Sequence, residues 1–179
     1  IDEIGLGVLL IRPKNHNDNR GSFMELYNLK RFNENGINCN FIQDNISFSK
    51  SKNTLRGLHF QKSPYQQSKF ISLISGSILD IFIDIRKESK NFGKCYKKEL
   101  TKVGDSLFIP KGFLHGFCTL EDNTLVSYKV DEVYSLDHEL GLNWYDPYFN
   151  IKLPFKDPPI ISYKDSNLLN WTDFIRELD

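Results

Sequence analysis

The chain has 179 residues, with 23 Lys+Arg against 23 Asp+Glu and a formal net charge of zero. That balance excludes a sequence-independent nucleic-acid binder, which needs a basic excess. Hydrophobic residues at 40% and aromatics at 13% are too many for a disordered chain; a chain of this size buries roughly 70% of the surface it exposes unfolded.

Short apolar or alternating runs recur, broken by Gly, Pro, Asn and Asp. The first, Val8–Ile11, stops at Arg12 and Pro13 and is too short for a signal peptide or a membrane span, so no membrane contact is expected. In chain order, strands are predicted over residues 7–11, 23–27, 41–48, 54–60, 70–74, 78–85, 106–109, 117–120 and 124–130. A short helix is predicted over residues 29–34 and a second over residues 168–178, where Leu168, Leu169, Trp171, Phe174, Ile175 and Leu178 form a rough helical stripe. Pro154, Pro158 and Pro159 make the stretch before it a loop. This spacing predicts an all-β sandwich or barrel, not βαβ units. In the run Ile78 to Arg86, Leu79, Ile81, Ile83 and Ile85 share one face, while Ile78, Asp80, Phe82, Asp84 and Arg86 share the other. Period alone leaves open whether that second face is half solvated or lines a polar cavity.

Cys39, Cys95 and Cys118 form no CxxC pair, which excludes zinc ribbons and thioredoxin chemistry and reads as reduced thiols of a cytoplasmic protein. There are four histidines. His16 and His138 read as loop residues. His59, in Leu55-Arg56-Gly57-Leu58-His59-Phe60-Gln61, and His115, which opens a return strand after a Pro110/Gly112 turn, read as strand residues. By type alone a strand histidine is more often structural than catalytic. Likewise Tyr128 reads as an ordinary strand tyrosine, Lys69 as a strand-edge charge, Asp165 as a turn or N-cap residue before the last helix, and Tyr134 as a core tyrosine.

Gly104, Pro110, Gly112 and His115 are spaced as in the second signature of the cupin β-barrels, which this segment resembles. Thr119 stands where that family often has Asn. The first cupin signature needs a His-x-His pair, and here it reads His59-x-Gln61. Too few imidazoles remain for a cupin metal site, so no metal is expected.

A longer ordered set covers nearly the whole chain: Asp18-Asn19-Arg20-Gly21-Ser22-Phe23-Met24-Glu25, Gln43-Asp44-Asn45, Leu55 to Gln61, Gln67-Ser68-Lys69, Asp80 to Arg86, Ile109 to Phe117, Tyr128, Tyr134, Glu139 with Gly141 and Trp144, and Ser162-Tyr163-Lys164-Asp165. In this set the chain resembles the dTDP-4-dehydrorhamnose 3,5-epimerase family. The resemblance implies a cupin-like jelly-roll β-barrel with short flanking helices and a C-terminal helix. It implies one domain over residues 1–179, a core barrel at about 40–135, and a C-terminal segment, 145–179, that supplies Lys164 and Asp165. It also implies a homodimer without cofactor, in which Arg20 and Glu25 reach the partner's pocket by strand exchange. The implied reaction inverts C3 and C5 of a nucleotide-linked 4-keto-6-deoxy-sugar, dTDP-4-dehydro-6-deoxy-D-glucose first.

By the same resemblance His59 is the base, Asp165 orients its imidazole, Lys69 stabilises the enolate oxygen and Tyr128 gives a proton on the opposite face. Arg20 and Arg56 fall near the diphosphate, and Tyr134 stacks on the base. Glu25, Gln43, Asn45, Glu139 and Lys164 match other substrate contacts. His115 lines the pocket and pairs with Asp80. Phe70-Ile71-Ser72 lacks the basic residue of many thymidylyl enzymes, which keeps another nucleotide sugar, such as a GDP-linked keto-heptose, open as substrate. A single-centre epimerase and a non-catalytic nucleotide-sugar-binding cupin are the other readings. The retained base, donor and lysine argue against the last.

Overall fold

A computed structural model describes residues 1–178; the final residue of the domain expected over 1–179, and of its C-terminal segment, lies outside them. Thirteen strands dominate the described residues. They are β1 (Asp2–Gly5), β2 (Val8–Ile11), β3 (Asn15–Asp18), β4 (Gly21–Met24), β5 (Gln43–Ser49), β6 (Leu55–Gln61), β7 (Lys69–Ser75), β8 (Ile78–Asp84), β9 (Cys95–Leu100), β10 (Ser106–Ile109), β11 (Phe113–Thr119), β12 (Thr124–Val130) and β13 (Glu139–Gly141). Three short helices accompany them: α1 (Leu29–Glu34), α2 (Tyr163–Ser166) and α3 (Trp171–Glu177).

The strands form a six-stranded sheet, β1-β2-β10-β7-β12-β5, a five-stranded sheet, β13-β6-β11-β8-β9, and the separate hairpin β3-β4. All pairings within them are antiparallel. This is the cupin-like jelly roll expected from the sequence. The sheets draw on strands from Asp2 to Gly141, a wider span than the 40–135 core expected.

Alternation along each strand sets the layers. Ile71, Leu73, Leu107, Ile109 and Val126 of the six-stranded sheet pack against Ile78, Phe82, Phe113 and Phe117 of the five-stranded one. Leu79, Ile81, Ile83 and Ile85 point the other way, into a second core with Leu142, Trp144, Trp171 and Phe174. The whole of β8 is therefore buried, and its carboxylate face looks into the barrel, not into solvent. A third core joins Phe70 and Ile11 on the outer face of the six-stranded sheet to Phe32 of α1.

Several elements differ from the sequence expectation. The strand expected at 23–27 is β4, paired with β3, so His16 is an exposed strand residue. Strand β9 was masked by its lysines, which suit a sheet edge. The last helix begins only at Trp171: Asn170 caps it by accepting from the Asp173 N–H, and Leu169 bridges to Leu142 instead of joining the helix.

Candidate active site

A cavity of about 790 Å³ opens between the two sheets. Arg56, His59, Lys69, His115, Tyr128, Lys164 and Asp165 are among its lining residues. The sheets divide them. Lys69 lies on β7 and Tyr128 on β12, on the inward faces that also carry Ile71 and Val126. His59 on β6 and His115 on β11 are cross-strand partners on the facing sheet.

His59 Nε2 lies 2.8 Å from Asp165 Oδ1, and Asp165 Oδ2 accepts the Gly57 N–H at 3.0 Å. Both carboxylate oxygens are used. With Nε2–H donated to the carboxylate, Nδ1 is the nitrogen left with a free lone pair. Burial alone raises the Asp165 carboxyl; the His59 hydrogen bond and charge and the Gly57 amide outweigh it and hold it below the usual carboxylate range. Asp165 reaches His59 because α2 is capped by Ser162, whose Oγ accepts the Asp165 N–H at 3.0 Å. Asp165 is thus in the first turn of a helix rather than a cap of the last one.

Gly57 makes this approach possible. Its φ is +97°, and a Cβ there would stand 2.6 Å from the His115 carbonyl oxygen, closer than side-chain carbons come to backbone. The Trp144 indole N–H donates to the Gly57 carbonyl and pins the same turn. In the sequence Trp144 reads only as a motif residue, and this anchor is not visible there. A buried Trp near a strand glycine is a signal, because its N–H needs a partner.

His115 makes a second pair of the same length. Its Nε2 lies 2.8 Å from Asp80 Oδ2, with the two side chains 8% and 0% exposed. Asp80 Oδ1 is buried without a hydrogen-bond partner. Lys69 is on a central strand between β10 and β12, so it is not an edge charge. Burial pushes its ammonium down to about 8, against the pull of Asp80 and Glu139. Burial pushes the Tyr128 phenol up, with Arg56 opposing, so the phenol stays protonated at neutral pH.

Arg56 donates to Ser49 Oγ at 3.1 Å and to the Phe48 carbonyl at 2.8 Å, which fixes its fork at the cavity wall. Beside the cavity, Lys164 Nζ meets Glu139 Oε2 at 2.5 Å and the Tyr134 hydroxyl donates to the same oxygen at 2.7 Å. These contacts hold Glu139 below the usual carboxylate range despite its burial. Tyr134 is 52% exposed, not a core tyrosine. Gln43 and Asn45 sit on the half-buried face of β5, hydrogen-bonded to each other at 2.8 Å. Arg20 and Glu25 are absent from the cavity lining. Arg20 is exposed and paired with Asp18, and Glu25 with Arg31.

Among the described residues no group of three or more His, Cys, Asp or Glu side chains comes together as a metal site. Their helices include none long and apolar enough to cross a membrane.

The family model for dTDP-4-dehydrorhamnose 3,5-epimerase matches residues 5–173. The curated dTDP-4-dehydrorhamnose 3,5-epimerase of Shigella flexneri is 42% identical over 168 residues, covering 93% of this chain and 92% of that protein. A crystal structure of the Bacillus anthracis dTDP-4-dehydrorhamnose 3,5-epimerase with TDP and PPi bound superposes with a TM-score of 0.91 at 42% identity, covering 95% of this chain and 97% of that one. The dTDP-6-deoxy-D-glucose-3,5-epimerase of Legionella pneumophila, in complex with dTDP-4-keto-L-rhamnose, has a TM-score of 0.92 at 34% identity over 99% of this chain and 95% of that one. With this coverage, and with the motif residues His59, Lys69, Tyr128 and Asp165 gathered in one cavity, the chain belongs to the dTDP-4-dehydrorhamnose 3,5-epimerase family of isomerases.

Proposed function

We propose that the chain inverts C3 and C5 of dTDP-4-dehydro-6-deoxy-D-glucose, the substrate class named for its relatives, by proton transfer across the inter-sheet cavity. One observation carries the reading: the His59–Asp165 pair and the Lys69/Tyr128 pair occupy facing sheets with a cavity of about 790 Å³ between them. Inversion needs a base on one face of the sugar and a proton donor on the other.

In this reading His59 Nδ1 takes the proton alpha to the C4 ketone. The C–H bonding pair becomes the enolate C=C bond, the C4=O π pair moves onto oxygen, and the Lys69 ammonium stabilises that oxyanion. Tyr128 then gives its phenolic proton to the opposite face, and both groups reset by exchange with water. The Asp165 carboxylate stabilises the imidazolium and holds the ring orientation. Losing one such preorganised partner costs on the order of 10²- to 10³-fold in rate.

Arg56 takes the diphosphate, since a guanidinium fork matches phosphate oxygens. Tyr134 stacks on the base, with Glu139, Lys164, Gln43 and Asn45 around the nucleoside and sugar. This scheme uses no metal: every proton transfer in it is assigned to a side chain.

The active form is read as a homodimer in which one chain's Arg20 and Glu25 complete the partner's site. In support, β5 is a sheet edge whose exposed side carries Ile46 and Phe48, 74% and 56% exposed, and Phe23 on the β3–β4 hairpin is 71% exposed. Such apolar edges favour being covered. Three free thiols support a reducing, cytoplasmic setting.

The test is an NMR assay in D₂O with purified protein, dTDP-4-dehydro-6-deoxy-D-glucose and a chelator. Loss of both C3 and C5 proton signals is expected. Exchange at one carbon replaces the reading with a single-centre epimerase. Exchange at neither sends the search to another nucleotide sugar, GDP-linked ones first. Light scattering that finds a fully active monomer removes the shared site.

A further inference from the structure

Lys69 enters the barrel from β7 without an ion pair or side-chain hydrogen bond among the described residues. Lys69 is half-buried at the cavity wall; a desolvated ammonium with no partner tends to lose its proton, and a neutral amine stabilises an enolate poorly. Something must hold its charge. The titratable and charged groups around it are Arg56 and His59 on β6, Asp80 on β8, His115 on β11, Tyr128 on β12, Glu139 on β13, and Lys164 and Asp165 on α2, while Tyr96 and Lys98 on β9 flank Asp80 from its other side, Lys98 as its cross-strand partner.

Most of these are already committed. Asp165 uses both oxygens on His59 and Gly57. Glu139 is held by Lys164 and Tyr134. Strand β10, on the other side of β7, brings no titratable side chain. Asp80 is different. It points into the inter-sheet space beside Phe82 and Ile78, is 0% exposed, and gives only Oδ2 to His115. Its Oδ1 is buried with no hydrogen-bond partner among the described residues. A buried carboxylate oxygen left unpaired in a well-packed barrel calls for an electrostatic reason.

We propose that Asp80 is a positioning residue for the epimerisation: its unpaired oxygen keeps the Lys69 ammonium charged, while His115 fixes the direction in which that oxygen points. The claim rests on the reading of Lys69 as the enolate's cation. It assigns His115 a role other than touching the sugar: by occupying Oδ2 it leaves Oδ1 as the free counter-charge. The pull of Asp80 on the Lys69 ammonium, which opposes burial, agrees with this.

The experiment follows Lys69 directly. In protein labelled with ¹³C at lysine Cε, the Lys69 signal is assigned by its loss in Lys69→Met and titrated in wild type, Asp80→Asn and His115→Asn. Kcat and KM are measured over the same pH range. Wild-type Lys69 is expected to titrate near 8, and Asp80→Asn to lower that midpoint by roughly one pH unit. The alkaline limb of kcat should move down with it, KM staying nearly constant, so that the variant recovers activity towards acid pH. His115→Asn, which keeps the carboxylate, should leave the midpoint at or above the wild-type value. That opposite sign separates charge from a general disturbance of the core. An unchanged Lys69 midpoint in Asp80→Asn overturns the proposal. A lowered midpoint with an unmoved kcat profile instead overturns the enolate role of Lys69, and with it the catalytic meaning of Asp80.

Discussion

Two histidine–carboxylate pairs stand side by side on one sheet, both at 2.8 Å, and they differ in nearly everything else. In the first, the His59 side chain is 34% exposed and its carboxylate, Asp165, comes from a helix more than a hundred residues away in sequence. Both Asp165 oxygens are satisfied. In the second, His115 and Asp80 sit on adjacent strands, are sealed at 8% and 0% exposure, and leave one oxygen unpaired. A base must reach substrate and exchange its proton with water, so it needs access and a satisfied orienting group. A fixed charge works best where water cannot screen it. In the proposed mechanism the same chemical pair serves two purposes according to where the fold puts it.

The sharpest way to break the comparison is at the first pair. His59→Asn removes the base and should lower kcat by about 10²- to 10⁴-fold, with circular dichroism unchanged. If His115→Asn lost as much at neutral pH as His59→Asn, the two pairs would be functionally alike and the division of labour would be wrong.

Lys69→Met removes the cation that the second pair is proposed to hold, and a loss of about 10²- to 10³-fold in kcat is expected with little change in KM. Steady-state kinetics on the pure substrate decide it. A rise in KM alone would make Lys69 a binding residue.

The pH profile comes next in size. In the proposed mechanism Lys69 works only when charged, and burial pushes its ammonium down to about 8. Activity should therefore be held below that pH and fall about tenfold per unit above it, whereas an ordinary lysine would hold its charge to about 10. Stability runs on a different group. The Asp165 carboxyl is lowered by His59 and Gly57 against its burial, so its contribution is present above the ordinary carboxylate range and is lost as pH falls through its own lower midpoint. Thermal melts across acid pH read this.

The smallest effect sharpens the orienting side of the first pair. Ser162→Ala removes the cap that places Asp165 and should cost about 0.5–2 kcal/mol in denaturant unfolding. Activity should fall further than stability does, because Asp165 loses its fixed approach to His59.

Part of the fold is legible in the amino-acid order alone. The apolar spacing marks a β-barrel class and the alternation of β8 separates its two faces, because period 2 is a local property, but which face looks into the barrel is not written there. Residues 29–34 form the expected helix because Asn28 caps it and Phe32 buries one side. Strand β9 is not legible, because it is lysine-rich at an edge, and of the β3–β4 hairpin only β4 is marked, since β3 pairs its exposed polar residues with β4 alone. Strand β13, three residues long, exists only because β6 is there to receive it.

For the site, the residue types and their order along the chain identified His59, Lys69, Tyr128 and Asp165 through a family resemblance. No spacing rule could have paired Asp165 with His59, since 106 residues separate them. The sequence by itself determined which chemical groups were available and that a two-layered β core would form, because side-chain type and alternation are written locally. Only the tertiary structure decided which histidine is reachable and which is sealed, which carboxylate oxygen is left unpaired, and that the lysine and tyrosine face the base across a cavity. Those depend on distance and burial, which arise when strands far apart in the chain are brought onto opposite walls of one barrel.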